Sequence, residues 1–414
     1  MIKLPSVSNK NVLFINPGWE QASYIDTLYQ LGYKIYAVNN NHRSIDPRFK
    51  DVLICDYFSV DKIIDFAIQH QVIAVITDQC DYSIYAAAVT SEILGFQGIG
   101  IEQALLTTNK LLQRDKIRRS DVDILQPLYS LCLSPENAKK FSNSIGYPVI
   151  LKPVDSRGSF GVSKVDCESE IDNAFISALS NSPARQVIVE EFIEGVQITI
   201  DGYADPIEGI NSLALATKVM VNESIQVAIG INYPGDLDKV VYAKALMNNQ
   251  AVAQILGIKF GMIHAEYMID KNDDIYLIEI ANRGGGCFTS TDILKAVTGI
   301  DFATKLITDS LGIENHIDYS TVAKNKTSLL FFKIPKEGTL DSVHLSNELN
   351  TIDELINYKV MINNKNKITL TNNDANRHGF IIISNDSTSA LVDKMLACFK
   401  FQMTDGSYVY PVLY

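Results

Sequence analysis

Residues 264–286 read HAEYMIDKNDDIYLIEIANRGGG, and this stretch decides how the 414-residue chain is built. Two apolar-rich runs, His264 to Asp270 and Ile275 to Ile280, have the texture of strands. The polar residues Lys271, Asn272, Asp273 and Asp274 between them read as a hairpin turn. If those four form the turn, Asp270 pairs with Ile275, and counting outward sets Glu266 opposite Glu279 on one face, with Cβ atoms about 5 Å apart. Like charges facing each other across a ladder destabilise it, so a positive species is expected between them. Hard carboxylate oxygens suit Mg²⁺ or Mn²⁺, held by one or two carboxylates together with substrate phosphates. The alternative is a weakly repulsive pair pointing to solvent. Directly after Glu279 come Ala281, Asn282, Arg283 and three glycines, Gly284 to Gly286. The glycines permit close backbone approach to a ligand, and an arginine beside a metal site is a natural partner for phosphate or carboxylate; a plain flexible turn is the other reading.

Upstream, the run Val187 to Gly195 (VIVEEFIEG) ends an apolar strand in charges and a glycine. It resembles a hinge between two lobes, although taken alone a strand end with a solvated acidic turn is the reading it favours. Before it, Ile150 to Val162 (ILKPVDSRGSFGV) is a glycine-serine loop flanked by strands and lacking the GK[ST] ending of a Walker loop. Small residues there still allow backbone N–H groups to point at an anion. A lysine inside an apolar strand is costly to bury unpaired, so Lys152 is expected to meet an anion, with a structural salt bridge as the alternative. At the amino end, Asn11 to Asn16 reads as a strand, Gln21 to Leu31 as a helix and Lys34 to Val38 as a second strand. The turn between them has Gly18 alone where a dinucleotide fingerprint needs three glycines, and no acid follows the second strand, which argues against nicotinamide binding there.

The β-α alternation continues through Asp51 to Cys55, Val60 to Gln69, Val72 to Thr77 and Tyr82 to Leu94, which predicts a doubly wound parallel sheet over the first hundred residues. Thr107 to Arg119 reads as one basic helix. From Val149 onward the texture turns to β, with helices at Glu168 to Leu179 and Asp238 to Leu256. The last hundred residues read as short strands with one helix, Ser387 to Cys398. Three domains are expected: 1–105, 106–315 with a small lobe at about 120–195, and 316–414. The balance of 48 acidic against 36 basic residues gives a net charge of -12, which argues against non-specific nucleic-acid binding. Six scattered cysteines without a CxxC pair suit neither a zinc ribbon nor a disulfide framework and read as reduced thiols. Nowhere do about 18 apolar residues run uninterrupted, and Met1 to Lys10 has no signal-peptide core, so a cytoplasmic protein without a membrane partner is expected.

Taken in order, these motifs resemble the ATP-grasp superfamily, and within it the carboxylate-amine ligases that join amino acids and the halves of carbamoyl phosphate synthetase large chains. The stretch TDQCDYSIYAAAVTSEILGFQGIGIEQALLTTNKLLQR, residues 77–114, is similar to the approach to their nucleotide clamp. Arg377-His378-Gly379-Phe380 resembles a turn of their last domain. The resemblance implies an α/β and α+β architecture: a Rossmann-like amino-terminal domain, a two-lobed clamp and a small α+β closing domain. It implies ATP and Mg²⁺ (or Mn²⁺) as cofactors, small-molecule carboxylate and amine substrates, and admits a homodimer. By the same resemblance Lys110 and Lys152 contact ATP. Ser156, Ser159, Phe160 and Gly161 belong to a loop over its β- and γ-phosphates, Glu190 accepts from the adenine amino group, and the backbone at Phe192 reads the ring edge. Lys218 reaches the γ-phosphate, Glu266 and Glu279 hold the metal, and Arg283 stabilises the acyl phosphate and the tetrahedral intermediate. Gln197 stands where relatives have a ribose-binding glutamate, and Ala281 where many have an asparagine. The implied reaction is ATP-dependent amide formation through an acyl phosphate. A bicarbonate-using or carbamoyl-forming enzyme and a catalytically idle nucleotide-binding protein are the alternatives.

Overall fold

Strand-forming apolar runs separated by helices assemble the amino-terminal layer in the computed structural model, which describes residues 9–41, 46–156, 158–222, 225–322, 324–369, 377–384 and 388–414. Strands β1 (Asn11–Ile15), β2 (Lys34–Asn39), β3 (Asp51–Ile54) and β4 (Val75–Ile76) form a parallel sheet in the order β3-β2-β1-β4. Helix α1 (Ala22–Gln30) connects β1 to β2 and α2 (Val60–Gln69) connects β3 to β4; α3 (Asp81–Leu94) follows β4, and Gly95 in the left-handed conformation terminates it. The doubly wound expectation holds here. The single helix expected at Thr107 to Arg119 does not. Asn109 adopts an extended conformation (φ −130°, ψ 108°) and its side chain accepts from the Leu112 N–H. It therefore ends α4 (Ile101–Thr108) and caps α5 (Lys110–Arg118). The break aims the start of α5 at the cleft described below.

Four antiparallel strands, ordered β5-β8-β6-β7, make a small lobe: β5 (Tyr129–Cys132), β6 (Val149–Pro153), β7 (Ser163–Val165) and β8 (Val187–Glu191). Helices α6 (Pro135–Ile145) and α7 (Ile171–Ser180) close over an apolar core that includes Leu151, Phe175 and Val189. Helix α7 starts three residues later than expected, because Glu168–Glu170 forms a 3-10 turn ahead of it.

Beyond the hinge, β9 (Val196–Asp205), β10 (Gly209–Asn222), β11 (Ile225–Tyr233), β12 (Gly261–Ile269) and β13 (Ile275–Ala281) build an antiparallel sheet, with α8 (Lys239–Ile255) packed on it. After α9 (Leu294–Thr298) and α10 (Phe302–Ser310), β14 (Thr327–Lys333) adds directly to β11, pairing Gly230 with Leu330. Then β18 (Gly379–Ser384) pairs with β14 and β16 (Leu355–Val360) with β18. The carboxy-terminal region thus shares one nine-stranded sheet with the large lobe of the clamp. Strands β15 (Gly338–Leu345), β17 (Lys367–Ile368) and β19 (Phe399–Met403), with α11 (Ser389–Ala397), form a second layer against it around Phe332, Phe399 and Phe401. One core joins the amino-terminal sheet to the large sheet through Phe14, Tyr24, Tyr203, Phe302, Phe331 and Phe380, so the elements that flank the cleft are packed together. Strand β11 was not expected; its last residues, Asn232 and Tyr233, pair with Ser328 and Thr327. None of the six cysteines forms a disulfide. Among the described residues no helix is long and apolar enough to cross a membrane.

Candidate active site

The β12–β13 hairpin brings the two glutamates together by a route that counting did not anticipate. Ile269, not Asp270, pairs with Ile275, which is one residue out of the expected register. A β-bulge between Tyr267 and Glu266 then takes up Ile278 as an extra residue and restores Glu266 opposite Glu279. Both side chains line a large open cleft between the small lobe and the nine-stranded sheet.

Each glutamate already faces a cation. The Lys110 ammonium, at the first turn of α5, donates to Glu279 Oε1 at 3.1 Å and to the Ser156 carbonyl at 3.0 Å. Lys218 on β10 donates to Glu266 Oε1 at 2.8 Å, and the Gln197 amide donates to Glu266 Oε2 at 2.9 Å. Burial alone raises a carboxyl, but Lys218 and then His264 overcome it and hold Glu266 well below the usual carboxylate range. His264 Nδ1 lies 2.7 Å from Asp201 Oδ1, and Asp201 Oδ2 accepts from the Tyr233 hydroxyl at 2.6 Å. Burial works against the charge on His264, yet Asp201 and Glu266 together push it up to about 9.

The hinge end is equally neutralised. Arg114, fully buried one helical turn after Lys110, donates from Nε and Nη2 to the two Glu190 oxygens at 3.1 and 3.3 Å. Lys152 completes the triad at 2.7 Å from Glu190 Oε2. Burial pushes the Lys152 ammonium down. Burial also works to raise Glu190, and the Arg114 and Lys152 charges reverse it to about 2. The anion that Lys152 meets here is therefore Glu190, the salt-bridge alternative, and the Glu190 carboxylate is a counter-ion shared by two cations rather than an uncommitted acceptor. Arg283 is likewise committed: Nε and Nη2 donate to the two Asp81 oxygens at 2.7 and 3.2 Å, and Nη1 to the Gly284 carbonyl at 3.0 Å. Lys218 faces Glu266 and Gln197 bonds the same carboxylate, so neither side chain is aimed at a nucleotide in this conformation.

The glycine-serine loop turns over the cleft. Ser156, Ser159 and Phe160 line it; Arg157 lies outside the described residues. Gly161 does not line the cleft but packs the loop on α7. Its φ of +73° and a Cβ that would come within 2.9 Å of Asn181 Cβ require glycine. Phe192 lines the cleft beyond the hinge, with the Lys164 ammonium 4.7 Å from its ring centre. Opposite, Gly284 approaches the amino-terminal domain. Its N–H donates to Asp78 Oδ1 at 2.6 Å, and Asp78 Oδ2 accepts from Tyr24 and Ser290. A Cβ on Gly284 would fall 2.3 Å from Ser290 Cβ and 2.7 Å from Asp78 Oδ2. Gly284→Ala is expected to cost roughly 1–3 kcal/mol of stability by overpacking, read as a lowered denaturation midpoint.

The sequence alone missed Arg114, Asp81, Asp201 and His264. The i,i+4 spacing of Lys110 and Arg114 on one helix face was the available signal for the first. Asp201 and His264 meet as cross-strand partners of β9 and β12, which no sequence spacing announces. The donor set suits Mg²⁺ or Mn²⁺: two opposed carboxylates, each balanced by a lysine, beside a cleft roomy enough for phosphates. Among the described residues there is no cluster of three or more His, Cys, Asp or Glu that could hold an ion without such help.

Comparison with known proteins agrees with this geometry. Residues 145–292 match the family model described as an ATP-grasp domain. The carbamoyl phosphate synthase large chain of Clostridium acetobutylicum is 25% identical over 324 residues, 74% of this chain. The chain spans only 28% of the length of that relative. The L-amino acid ligase of Bacillus licheniformis superposes with a TM-score of 0.80 at 18% identity, covering 96% of this chain and 99% of that one. Phosphoribosylglycinamide synthetase of Anaerococcus prevotii gives 0.74 at 16% identity, covering 96% and 100%. The biotin carboxylase domain dimer of the Hydrogenobacter thermophilus 2-oxoglutarate carboxylase, a complex with MgADP and bicarbonate, gives 0.76 at 17% identity, covering 98% and 92%. The chain carries an ATP-grasp domain, and its fold is the ATP-grasp fold.

Proposed function

We propose that this protein is an ATP-dependent carboxylate-amine ligase that forms an amide, a dipeptide or amino-acid conjugate, through an acyl phosphate, releasing ADP and phosphate. The observation that carries the reading is one cleft holding the opposed Glu266 and Glu279, the Arg283-glycine loop beside them, and the Lys110, Lys152 and Glu190 set toward the hinge. A divalent cation held by Glu266 and Glu279 would neutralise charge on the ATP phosphates. Lys110 and Lys152 are placed to exchange their glutamate partners for phosphate oxygens, and the Ser156 to Phe160 segment to cover them. The substrate carboxylate attacks the γ-phosphorus, the bond to ADP breaks, and an acyl phosphate forms. The amine then adds to the acyl carbon, loses a proton to solvent, and expels phosphate. Arg283, oriented by its fork on Asp81, is the cation for the oxyanion of that second step. No nucleophilic side chain is required, because positioning and electrostatics supply catalysis in phosphoryl transfer.

An apolar wall of Leu329, Phe331 and Met361 in the same cleft favours an organic substrate over bicarbonate alone. A cytoplasmic homodimer with reduced cysteines belongs to the same proposal; the Hydrogenobacter domain that the chain resembles is a dimer. Amino-acid pairs screened with Mg-ATP should give phosphate release only when carboxylate and amine are both present, with the amide identified by mass. Phosphate release driven by bicarbonate alone points to the carboxylase class, and Mg-ATP binding without phosphate release from any pool points to an idle binder. Arg283→Gln should lower kcat about 10²-fold while changing ATP affinity less than about threefold, because its partner develops charge in the transition state. Equal losses in both would remove that role.

A further inference from the structure

Of the four oxygens on the opposed Glu266 and Glu279, three already accept from a donor of the chain itself. The Lys110 ammonium holds Glu279 Oε1 at 3.1 Å, Lys218 holds Glu266 Oε1 at 2.8 Å, and the Gln197 amide holds Glu266 Oε2 at 2.9 Å. The two lysines come from different elements, α5 and β10, yet reach the same pair of cross-strand carboxylates. Their side chains are 7% and 13% exposed, against 25% and 28% for Glu279 and Glu266, so the ammonium groups are the less hydrated partners. A poorly hydrated ammonium is costly to leave without an anion, which ties each lysine to its carboxylate until another anion arrives. The charges of the two pairs cancel one to one. His264, whose Nε2 is 3.8 Å from Glu266 Oε1, has a carboxylate of its own in Asp201 at 2.7 Å. A divalent cation arriving alone therefore meets two balanced pairs, and on either Oε1 it would share the oxygen with a charge of its own sign.

We infer that Lys110 and Lys218 are place-holders for the divalent cation: the free chain does not hold the metal by itself, and Glu266 and Glu279 become its site only when the phosphates of a nucleoside di- or triphosphate take over the two ammonium groups. The exchange keeps every charge paired. Phosphate oxygens replace the carboxylates around the lysines, and the metal replaces the lysines between the carboxylates. Lys110 is already bonded to the Ser156 carbonyl of the glycine-serine loop at 3.0 Å, so it changes its anionic partner while keeping that contact. Metal without nucleotide would strand two poorly hydrated lysines, and nucleotide without metal would strand two opposed glutamates. The coupling is reciprocal: nucleotide draws in the metal by the same factor by which the metal draws in nucleotide. The inference rests on the ligase reading only in placing nucleotide phosphates in this cleft.

Mn²⁺ tests this without turnover, because its enhancement of water-proton relaxation rises when the ion is carried on the slowly tumbling protein. It is titrated into the full chain with and without ADP, and into Lys110→Gln, Lys218→Gln and Gln197→Ala. Glutamine keeps a donor for the carboxylate and removes only the charge. The parent should hold Mn²⁺ at least about tenfold more tightly with ADP than without it, within the usual range of coupling between sites. Each lysine variant should hold Mn²⁺ alone at least about tenfold more tightly than the parent, since two opposed carboxylates then share one ammonium. Gln197→Ala removes a neutral donor and should stay within about threefold of the parent. Adding Glu279→Gln to either lysine variant should abolish its gain. The inference is overturned if the parent binds Mn²⁺ as tightly without ADP as with it, or if neither lysine variant gains affinity. It is equally overturned if Gln197→Ala gains as much as they do, or if the gain survives Glu279→Gln. Mn²⁺ carried by the parent only with ADP, with no gain in either lysine variant, sinks the place-holders and spares the ligase. The gain in the lysine variants, with no Mn²⁺ carried by the parent even with ADP, sinks the nucleotide site and the ligase with it, and spares the place-holding role of the lysines.

Discussion

Glu279→Gln is expected to leave a folded protein whose turnover with Mg-ATP falls by at least about 10³-fold, a loss of roughly 4 kcal/mol of transition-state stabilisation. The substitution keeps the shape of the side chain and an oxygen for Lys110 to donate to, so the contact at 3.1 Å survives in neutral form. What disappears is one of the two opposed charges that would hold the divalent cation. Lys110 also keeps its bond to the Ser156 carbonyl, so the glycine-serine loop should stay in place. Glu279 is a quarter exposed, and the buried Lys110 keeps an amide oxygen and the Ser156 carbonyl as acceptors, so the melting temperature should move by only a few degrees. The diagnostic readout is the Mg²⁺ concentration for half-maximal activity, which should rise together with the fall in kcat. Activity within tenfold of the parent, at an unchanged Mg²⁺ midpoint, would remove Glu279 as a metal ligand.

The alternation of strands and helices over the first hundred residues was legible because each element is short and buried by local pattern. The clamp was legible as an ordered series of motifs. Its internal wiring was not. Glu266 faces Glu279 only because a bulge at Ile278 compensates a turn that closes one residue earlier than the count assumed, and a bulge leaves no trace in hydrophobic periodicity. Strand β11 escaped notice because its run, IQVAIGINY, carries a glycine and polar residues and ends next to a proline. It lies between β10, its hairpin partner, and β14, about a hundred residues away. Arg114, Asp81 and Asp201 share the same reason for being missed. The meaning of each lies in a partner 63 to 202 residues distant, which no local pattern announces. Lys110, Lys152 and Arg283 line one cleft, but sequence could not reveal that each is already neutralised by a carboxylate. That pairing follows from the cost of burying a bare cation.

The strongest consequence of that pairing concerns stability. Glu190→Ala is expected to cost about 3–5 kcal/mol, because it strands two buried cations at once. Arg114 is fully enclosed and Lys152 is 4% exposed, so neither can recover hydration by a rotamer change. Lys152→Met should cost less, since Glu190 keeps both of its Arg114 contacts. The same triad sets a pH dependence whose sign is fixed by the direction of the shift. Glu190 is held at about 2 in the folded chain against an ordinary 4.5. A depressed carboxyl contributes stability that is fully present above its unfolded value and is lost as pH falls through the folded one. The contribution is on the order of 3 kcal/mol and should vanish progressively between pH 4.5 and 2. Urea unfolding of the parent and of Glu190→Gln across that window isolates it from the other carboxylates, because only the difference between the two curves belongs to Glu190. That difference should be largest above pH 4.5 and close toward pH 2. Parallel curves, or a Glu190→Gln protein within about 1 kcal/mol of the parent at neutral pH, would mean that the triad is solvated in solution. In that case Lys152 and Arg114 would be available to a nucleotide without first giving up a partner, and Mg-ATP affinity should be unchanged in Glu190→Gln. With the triad intact as described, loss of Glu190 should instead weaken Mg-ATP binding along with stability, since the two cations would no longer be held at the hinge.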